Sequence, residues 1–270
     1  MSKKPSPKVS VIMAAFNAMP YLKIAVKSIL DQTYTDFEII IVDDASDDSS
    51  WKYLKSLKNP RIKLIKNKKN LGLAKSLNIA LRRAQGHFIA RMDADDFSSP
   101  ERLREQVNFL QKNKTIALCG TYAFLINESG KKIGMIYYPE TPQEIRKKIV
   151  LFNPIIHPSI MARKSFFEKL NGYREEYDGA EDYDLLIRGA DKFEYANLPK
   201  ELIALRLLPS RRSARSMGKM DKLDLKIKMN YLKENGFSAN ALFAIVKKLF
   251  FMYLIPLPIK IQTSRILKKV

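Results

Sequence analysis

The chain has 270 residues, 46% of them hydrophobic, and a formal net charge of +20 at pH 7. That length suffices for one sizeable core, alone or with an appendage, and the charge calls for an anionic partner such as a nucleotide, nucleic acid or lipid head group. The single cysteine, Cys119, excludes an intrachain disulfide and a thiolate metal cage, as expected in a reducing cytosol.

The N-terminus, Met1-Ser2-Lys3-Lys4-Pro5, lacks the apolar stretch of a signal peptide. Short apolar runs then alternate with helical patterns. Strands are expected at Val9–Ala15, Phe37–Val42, Arg61–Ile65 and His87–Met92, and helices at Tyr21–Gln32, Ser49–Leu57 and Leu73–Ala84. Strand–helix alternation with nearly continuous apolar strands predicts a buried, mostly parallel sheet, which binds ligands at the carboxyl ends of its strands. Those ends read Ala15-Phe16-Asn17, Asp43-Asp44-Ala45-Ser46, Asn70-Leu71-Gly72 and Asp93-Ala94-Asp95-Asp96. Three carboxylates at one strand end repel one another unless a cation sits among them, and hard oxygen ligands suit Mg²⁺ or Mn²⁺ shared with substrate phosphates. An acidic turn leading into a helix is the alternative, since Asp and Ser are common there.

Neither Gly-x-Gly-x-x-Gly nor a Gly-Lys-Ser/Thr loop follows any strand, so phosphates would need a metal. A helix-like segment begins near Pro100, and strands Ile116–Gly120 and Tyr122–Ile126 precede the turn Asn127-Glu128-Ser129-Gly130. Asn153 to Met161 reads as extended and carries His157, either a hydrogen-bonded structural group or a site residue. Glu181-Asp182-Tyr183-Asp184 opens a helix whose dipole would itself favour acids. A strand is expected at Leu202–Leu208, with Arg206, Arg211 and Arg212 placed to close a loop over a diphosphate or simply to join the basic tail.

From Arg206 onward there are fifteen Lys or Arg against Asp221, Asp224 and Glu234, a net of +12. Ala241–Ile255 is strongly apolar, interrupted by Lys247-Lys248 and ended by Pro256-Leu257-Pro258, and its uninterrupted run Leu249–Ile255 is too short to span a bilayer. Phe243, Phe250, Phe251 and Tyr253 beside basic residues describe a helix lying in an anionic membrane interface. The alternative is a helix packed on the core with its lysines in solvent.

In the order Val9–Asn17, Phe37–Ser50, Asn70–Ala74, Ala84–Asp96 and Ala180–Asp184, the chain resembles the family 2 glycosyltransferases over about Lys8 to Leu208. The resemblance implies an α/β GT-A fold over 1–210, with 211–270 a basic amphipathic helical extension. It implies nucleotide contacts at Ala15, Phe16, Asn17, Asp44, Gly72, Lys75, Asp93 and Ala94. Phe16 stands where the family often has Tyr, so it can stack on a base without a phenolic hydrogen bond. Asp44 would accept a uracil imide N–H, Asp43 would support the turn, and Asp93 would lie near the ribose. Lys75 would meet base or phosphate unless it faces solvent. Asp95 and Asp96 are the metal ligands implied, either of them principal, for Mn²⁺ or Mg²⁺. Asp182 would be the base of an inverting displacement from a nucleotide-diphospho-sugar, and His157, Glu181, Arg206 and Arg212 are further candidates.

The implied acceptor is a glycan or polyprenyl-diphosphate-linked glycan, with the enzyme cytoplasmic and peripheral at the inner face of the membrane. A nucleic-acid-binding protein is the rival from charge alone. Its recognition motifs are absent, and three acidic clusters would sit badly against a phosphate backbone. A nucleotidyltransferase would need basic, glycine-rich text near the N-terminus, and an inactive scaffold would not need Asp95, Asp96 and Asp182.

Overall fold

The structure, a computed structural model, describes residues 7–208, 217–236 and 239–254. The elements run β1 (Val9–Ala15), α1 (Tyr21–Leu30), β2 (Phe37–Asp43), α2 (Ser50–Ser56), β3 (Ile62–Lys66), α3 (Leu73–Arg83), β4 (Phe88–Asp93) and β5 (Phe97–Ser98). They continue with α4 (Arg102–Lys112), β6 (Ile116–Ile126), β7 (Lys132–Ile136), α5 (Pro142–Lys148), β8 (Met161–Arg163), α6 (Lys164–Lys169), α7 (Glu181–Gly189) and β9 (Glu194–Arg206). Two helices close the description, α8 (Met217–Asn235) and α9 (Ala239–Leu254).

One sheet has the order β3-β2-β1-β4-β8-β6-β9-β5, with β7 on β6. Strands β3, β2, β1 and β4 are parallel, as are β6 and β9, while β8, β5 and β7 run against their neighbours. The expected mostly parallel sheet is therefore present. Side chains alternate across each strand and sort into two apolar layers. Val9, Val11 and Met13 of β1 with Phe37, Ile39 and Ile41 of β2 face α1 and α4. Ile12, Ile40 and Val42 face α3, α6 and α7.

Three local readings change. The two strands expected around Thr121 are one strand, β6, because its pairing with β9 absorbs register shifts at Thr121–Ala123. The extended reading of Asn153–Met161 is interrupted by a 3-10 turn at His157–Ser159, where Ser159 Oγ donates to the Ile156 carbonyl at 2.7 Å. The strand expected at Leu202–Leu208 begins at Glu194 and ends at Arg206.

The C-terminal helices are attached to the main layers. Ile227 of α8 and Ala241 and Ala244 of α9 are buried with α7 residues in the same apolar cluster. Lys228 is buried on α8, pairs with Asp224 at 2.9 Å and stands 5.5 Å over the Tyr183 ring. Asn230 donates to the Tyr177 hydroxyl at 2.8 Å, and Lys248 of α9 reaches Asp221 and Asp224 at 2.8 and 3.0 Å. The far side of α9 exposes Leu242, Phe243, Val246, Leu249 and Phe250. Among the described residues no helix is long and apolar enough to cross a membrane. Pro256-Leu257-Pro258 and the Phe251 and Tyr253 side chains lie outside the described residues.

Leu77 is fully buried between α3 and the sheet, whereas Leu249 is exposed. Leu77→Ala should lower unfolding stability by about 2–5 kcal/mol in urea titration, and Leu249→Ala should change it by no more than about 0.5 kcal/mol.

Candidate active site

Four strand ends and the start of α7 converge on one rim, as the parallel topology requires. At the β1 and β2 ends the loops are stitched by hydrogen bonds. Asn17, at φ 47°, gives its backbone N–H to Ser46 Oγ at 3.1 Å and accepts from the N–H of Asp47 at 3.0 Å through its carboxamide oxygen. The Ala18 N–H donates to Ser50 Oγ at 3.1 Å. Asn17 thus braces the loop, while its neighbour Phe16 is 49% exposed at the lip and Ala15 is buried behind it.

Asp44 is buried and works as the hub of the adjoining loop. Its Oδ1 accepts from Asn67 Nδ2 (2.7 Å) and the Leu71 N–H (2.8 Å), and its Oδ2 from the Gly72 N–H (2.9 Å). Asp43 Oδ2 accepts from the Ser46 N–H at 3.2 Å, so Asp43 supports its turn as expected. Gly72 has φ +88°, and a Cβ there would meet the Asp178 carboxylate at 3.0 Å. The close approach that needs this glycine is therefore internal: Asp178 accepts from the Ala74 N–H at 2.9 Å at the start of α3. Lys75, one turn on, pairs with Glu175 at 3.1 Å.

The acidic turn after β4 is the densest part of the rim. One carboxylate oxygen each from Asp93, Asp95 and Asp96 lies within 4.8 Å of the others. Asp96 is fully buried and its Oδ1 accepts from the Arg206 N–H at 2.8 Å. Arg206 is corrected here: it is buried inside β9, not carried on a closing loop. Its Nε donates to the Asp95 carbonyl (3.1 Å) and its Nη1 to the carbonyls of Asn127 and Glu128 (3.1 and 2.8 Å). The guanidinium stands 4.5 Å over the Tyr21 ring. Its reach is spent on main-chain oxygens that shape the turn. Arg212 lies outside the described residues.

Across the rim, His157, Glu181 and Asp182 form a second group whose ligand atoms lie within 4.8 Å of one another. Asp182 is partly buried; its Oδ2 accepts from Asn153 Nδ2 and its Oδ1 from the Tyr183 N–H, each at 2.8 Å. Burial raises the Asp182 pKa, with Asp93 adding to the rise and the Tyr183 N–H and the Arg91 charge opposing it. Glu181 is buried and accepts from the Gly179 N–H at 2.6 Å. His157 Nε2 lies 2.9 Å from the Tyr173 hydroxyl, and its Nδ1 3.9 Å from Glu181.

Arg91 links the two acidic groups and escaped the sequence reading. It is 2% exposed on β4 and bonds Asp93 at 2.6 Å through Nη2. Its Nε and Nη1 have no hydrogen-bond partner among the described residues. Burial disfavours its charge, yet Asp93, Tyr173 and Glu181 together hold its pKa above the ordinary value. Arg102 of α4 braces it from below, donating Nη2 to the Arg91 carbonyl at 2.7 Å. A lone cation inside an apolar strand, two residues before an aspartate and so on the same face, was the available signal.

Related proteins agree with this architecture. The sequence pattern of "Glycosyl transferase family 2" matches residues 10–170. EpsE of Bacillus subtilis (strain 168) is 40% identical over 207 residues, 74% of this chain and 73% of that protein. The O-antigen biosynthesis glycosyltransferase WbnJ of Escherichia coli is 37% identical over 67% of this chain and 70% of its own length. The crystal structure of S. aureus TarS 1–349 with UDP-GlcNAc superposes over 91% of this chain and 73% of that one, with TM-score 0.73 and 20% identity. Mannosyltransferase PcManGT of Pyrobaculum calidifontis, in complex with GDP-Man and Mn²⁺, does so over 93% and 71%, with TM-score 0.65 and 18% identity.

Removing the Arg91 charge leaves Asp93 facing Glu181 and Asp182 without its counter-ion. Arg91→Met should cost about 3 kcal/mol in chemical denaturation, the lower end of what a broken buried pair costs because Asp93 is partly solvated. This chain belongs to glycosyltransferase family 2, is a glycosyltransferase of GT-A fold, and has homologues that work in polysaccharide biosynthesis.

Proposed function

We propose that the protein is an inverting, metal-assisted glycosyltransferase that moves one sugar from a nucleotide-diphospho-sugar, a UDP-sugar, to a hydroxyl of a glycan or lipid-linked acceptor in cell-surface polysaccharide synthesis. One observation carries this reading: the Asp93–Asp95–Asp96 oxygens and the hydrogen-bonded Asp182 carboxylate share a rim at the ends of the strands.

The donor set of the acidic turn fits a hard divalent cation, all oxygen and closely grouped. A bound Mn²⁺ or Mg²⁺ supplies neutralisation of the charge that builds on the departing diphosphate. Asp95 and Asp96 hold it in this reading, and Asp93 lies beside the ribose. Mn²⁺ in the PcManGT complex and nucleotides in both structural relatives support the assignment.

The remaining steps belong to this chain's own side chains. Phe16 offers an exposed ring to a base. Three of the four lone-pair sites of the Asp44 carboxylate are taken by N–H groups, which leaves one for an imide N–H. Asp182 accepts the acceptor hydroxyl's proton as that oxygen bonds to the anomeric carbon. The bond to the diphosphate breaks with its electron pair on the leaving oxygen, and the anomeric configuration inverts. Asn153 and the Tyr183 N–H aim the Asp182 oxygens.

Asp182→Asn should abolish transfer while UDP binding in the presence of Mn²⁺, read by calorimetry, stays within about twofold. Asp95→Ala should lose the metal-dependent part of that binding. Because burial holds the Asp182 pKa above its ordinary 3.8, kcat/KM should fall as pH drops through a value higher than 3.8. Retained turnover in Asp182→Asn removes it as base.

The outward stripe of α9 is assigned in the same proposal to the interface of an anionic membrane, at the inner face of the cell membrane. Leu242, Phe243, Val246, Leu249 and Phe250 recur at helical spacing on one side, and the segment from Arg206 carries +12. Phe243→Ser with Phe250→Ser should abolish flotation with phosphatidylglycerol vesicles. Unchanged flotation, or self-association removed by the same pair, would assign the stripe elsewhere.

A further inference from the structure

The acceptor half of the rim carries an aromatic surface that neither the nucleotide contacts nor the metal ligands use. Phe152 is 39% exposed in a segment that is otherwise mostly inward, between buried Ile149 and Val150 and buried Ile155 and Ile156. Its ring centroid lies 6.0 Å from that of Tyr138, the planes tilted by 36°. The next residue, Asn153, is the one whose amide donates to Asp182 Oδ2 at 2.8 Å. Burial raises the Tyr138 phenol pKa, and the Asp182 charge raises it further. Tyr138 thus lies against Phe152, and the chain neighbour of Phe152 holds Asp182.

We infer that Phe152, backed by Tyr138, is a stacking platform for the pyranose ring that bears the attacking hydroxyl, so that the acceptor ends in a saccharide rather than in a bare lipid phosphate or a small alcohol. The inference rests on Asp182 as the base. A sugar whose hydroxyl reaches Asp182 also lies beside the Asn153 amide, and Phe152 is the chain neighbour of Asn153. A pyranose has a flat face of C–H groups carrying partial positive charge, which suits the negative face of an aromatic ring and removes apolar surface from water. Phe16 lies at the end of β1, beside a loop residue bonded to Ser46, so its exposed ring is assigned to the base and that of Phe152 to the acceptor.

Phe152 is exposed, so truncating it leaves the core intact, and the probes need not be the natural acceptor. Full-length protein with Mg²⁺ and UDP is studied by saturation-transfer NMR against methyl pyranosides of the gluco, galacto, manno, rhamno and 2-acetamido series. The expected result is ring-proton saturation of at least one pyranoside, lowered at least fivefold in Phe152→Ala and recovered in Phe152→Trp, with UDP saturation equal in all three proteins. Equal pyranoside saturation in Phe152→Ala overturns the platform, as does a wild type that saturates UDP and no pyranoside. A wild type that saturates neither overturns the donor reading as well. Full transfer activity in Asp182→Asn with Phe152-dependent saturation would sink the base assignment and with it the acceptor role of the platform, leaving only a pyranose-binding ring.

Discussion

Five carboxylates crowd one rim of this sheet, and the fold depends on making that crowding tolerable. Asp93, Asp95 and Asp96 sit at the end of β4, with Glu181 and Asp182 facing them from the start of α7. Left to themselves such groups would take up protons or move apart. Two buried guanidinium groups prevent both outcomes in different ways. Arg91 acts by charge, bonded to Asp93 and in the field of Glu181 and Asp182. Arg206 acts by geometry, spending its donors on the carbonyls of Asp95, Asn127 and Glu128 and its backbone N–H on Asp96. The remaining carboxylate oxygens of the turn are thereby held close together, which is the preorganisation a hard cation exploits.

The rim divides into two halves built by different means. The half at the β1 and β2 ends is loop, made rigid by polar stitching: Asn17 to Asp47, Ser46 and Ser50 to the β1 loop, and Asp44 to three N–H groups. Several residues that look like ligand contacts in the text hold this loop together, and Gly72 is a glycine because its φ is +88° and the Asp178 carboxylate stands against it. The other half is helix and turn. Asp182 opens α7, and its partners come from the segment that carries Asn153 and from its own chain neighbour, Tyr183. Tyr183 also anchors α7, donating its hydroxyl to the carbonyls of Ile149 and Val150.

The basic C-terminal segment serves two faces at once. Helix α8 spends Ile227, Lys228 and Asn230 on the domain, the last two against Tyr183 and Tyr177. Helix α9 spends Ala241, Ala244 and Lys248 inward and turns its larger apolar side chains outward. The alternatives of packing on the core and facing a partner surface are therefore not exclusive: small residues and paired lysines pack, and the phenylalanines remain free to meet something else.

The text of the chain was sufficient for the alternation of strands and helices and for the acids that the fold gathers at the strand ends. Continuous apolar runs and Asp-rich strand ends are local properties, and five short patterns in order carry the family resemblance. What lay beyond it was every decision that depends on which distant segments meet. Asn17 and Asp44 as loop braces, Arg206 as an internal clamp, Arg91 as the cation between two acid groups and Asn153 as the partner of Asp182 all involve contacts across dozens of residues. The single strand at Thr121 and the split faces of α9 belong to the same class, since pairing and burial are set by neighbours. Composition and spacing determined which chemistry the chain carries. Only the tertiary structure decided which groups support it, because a polar side chain takes its role from the partner the fold brings to it.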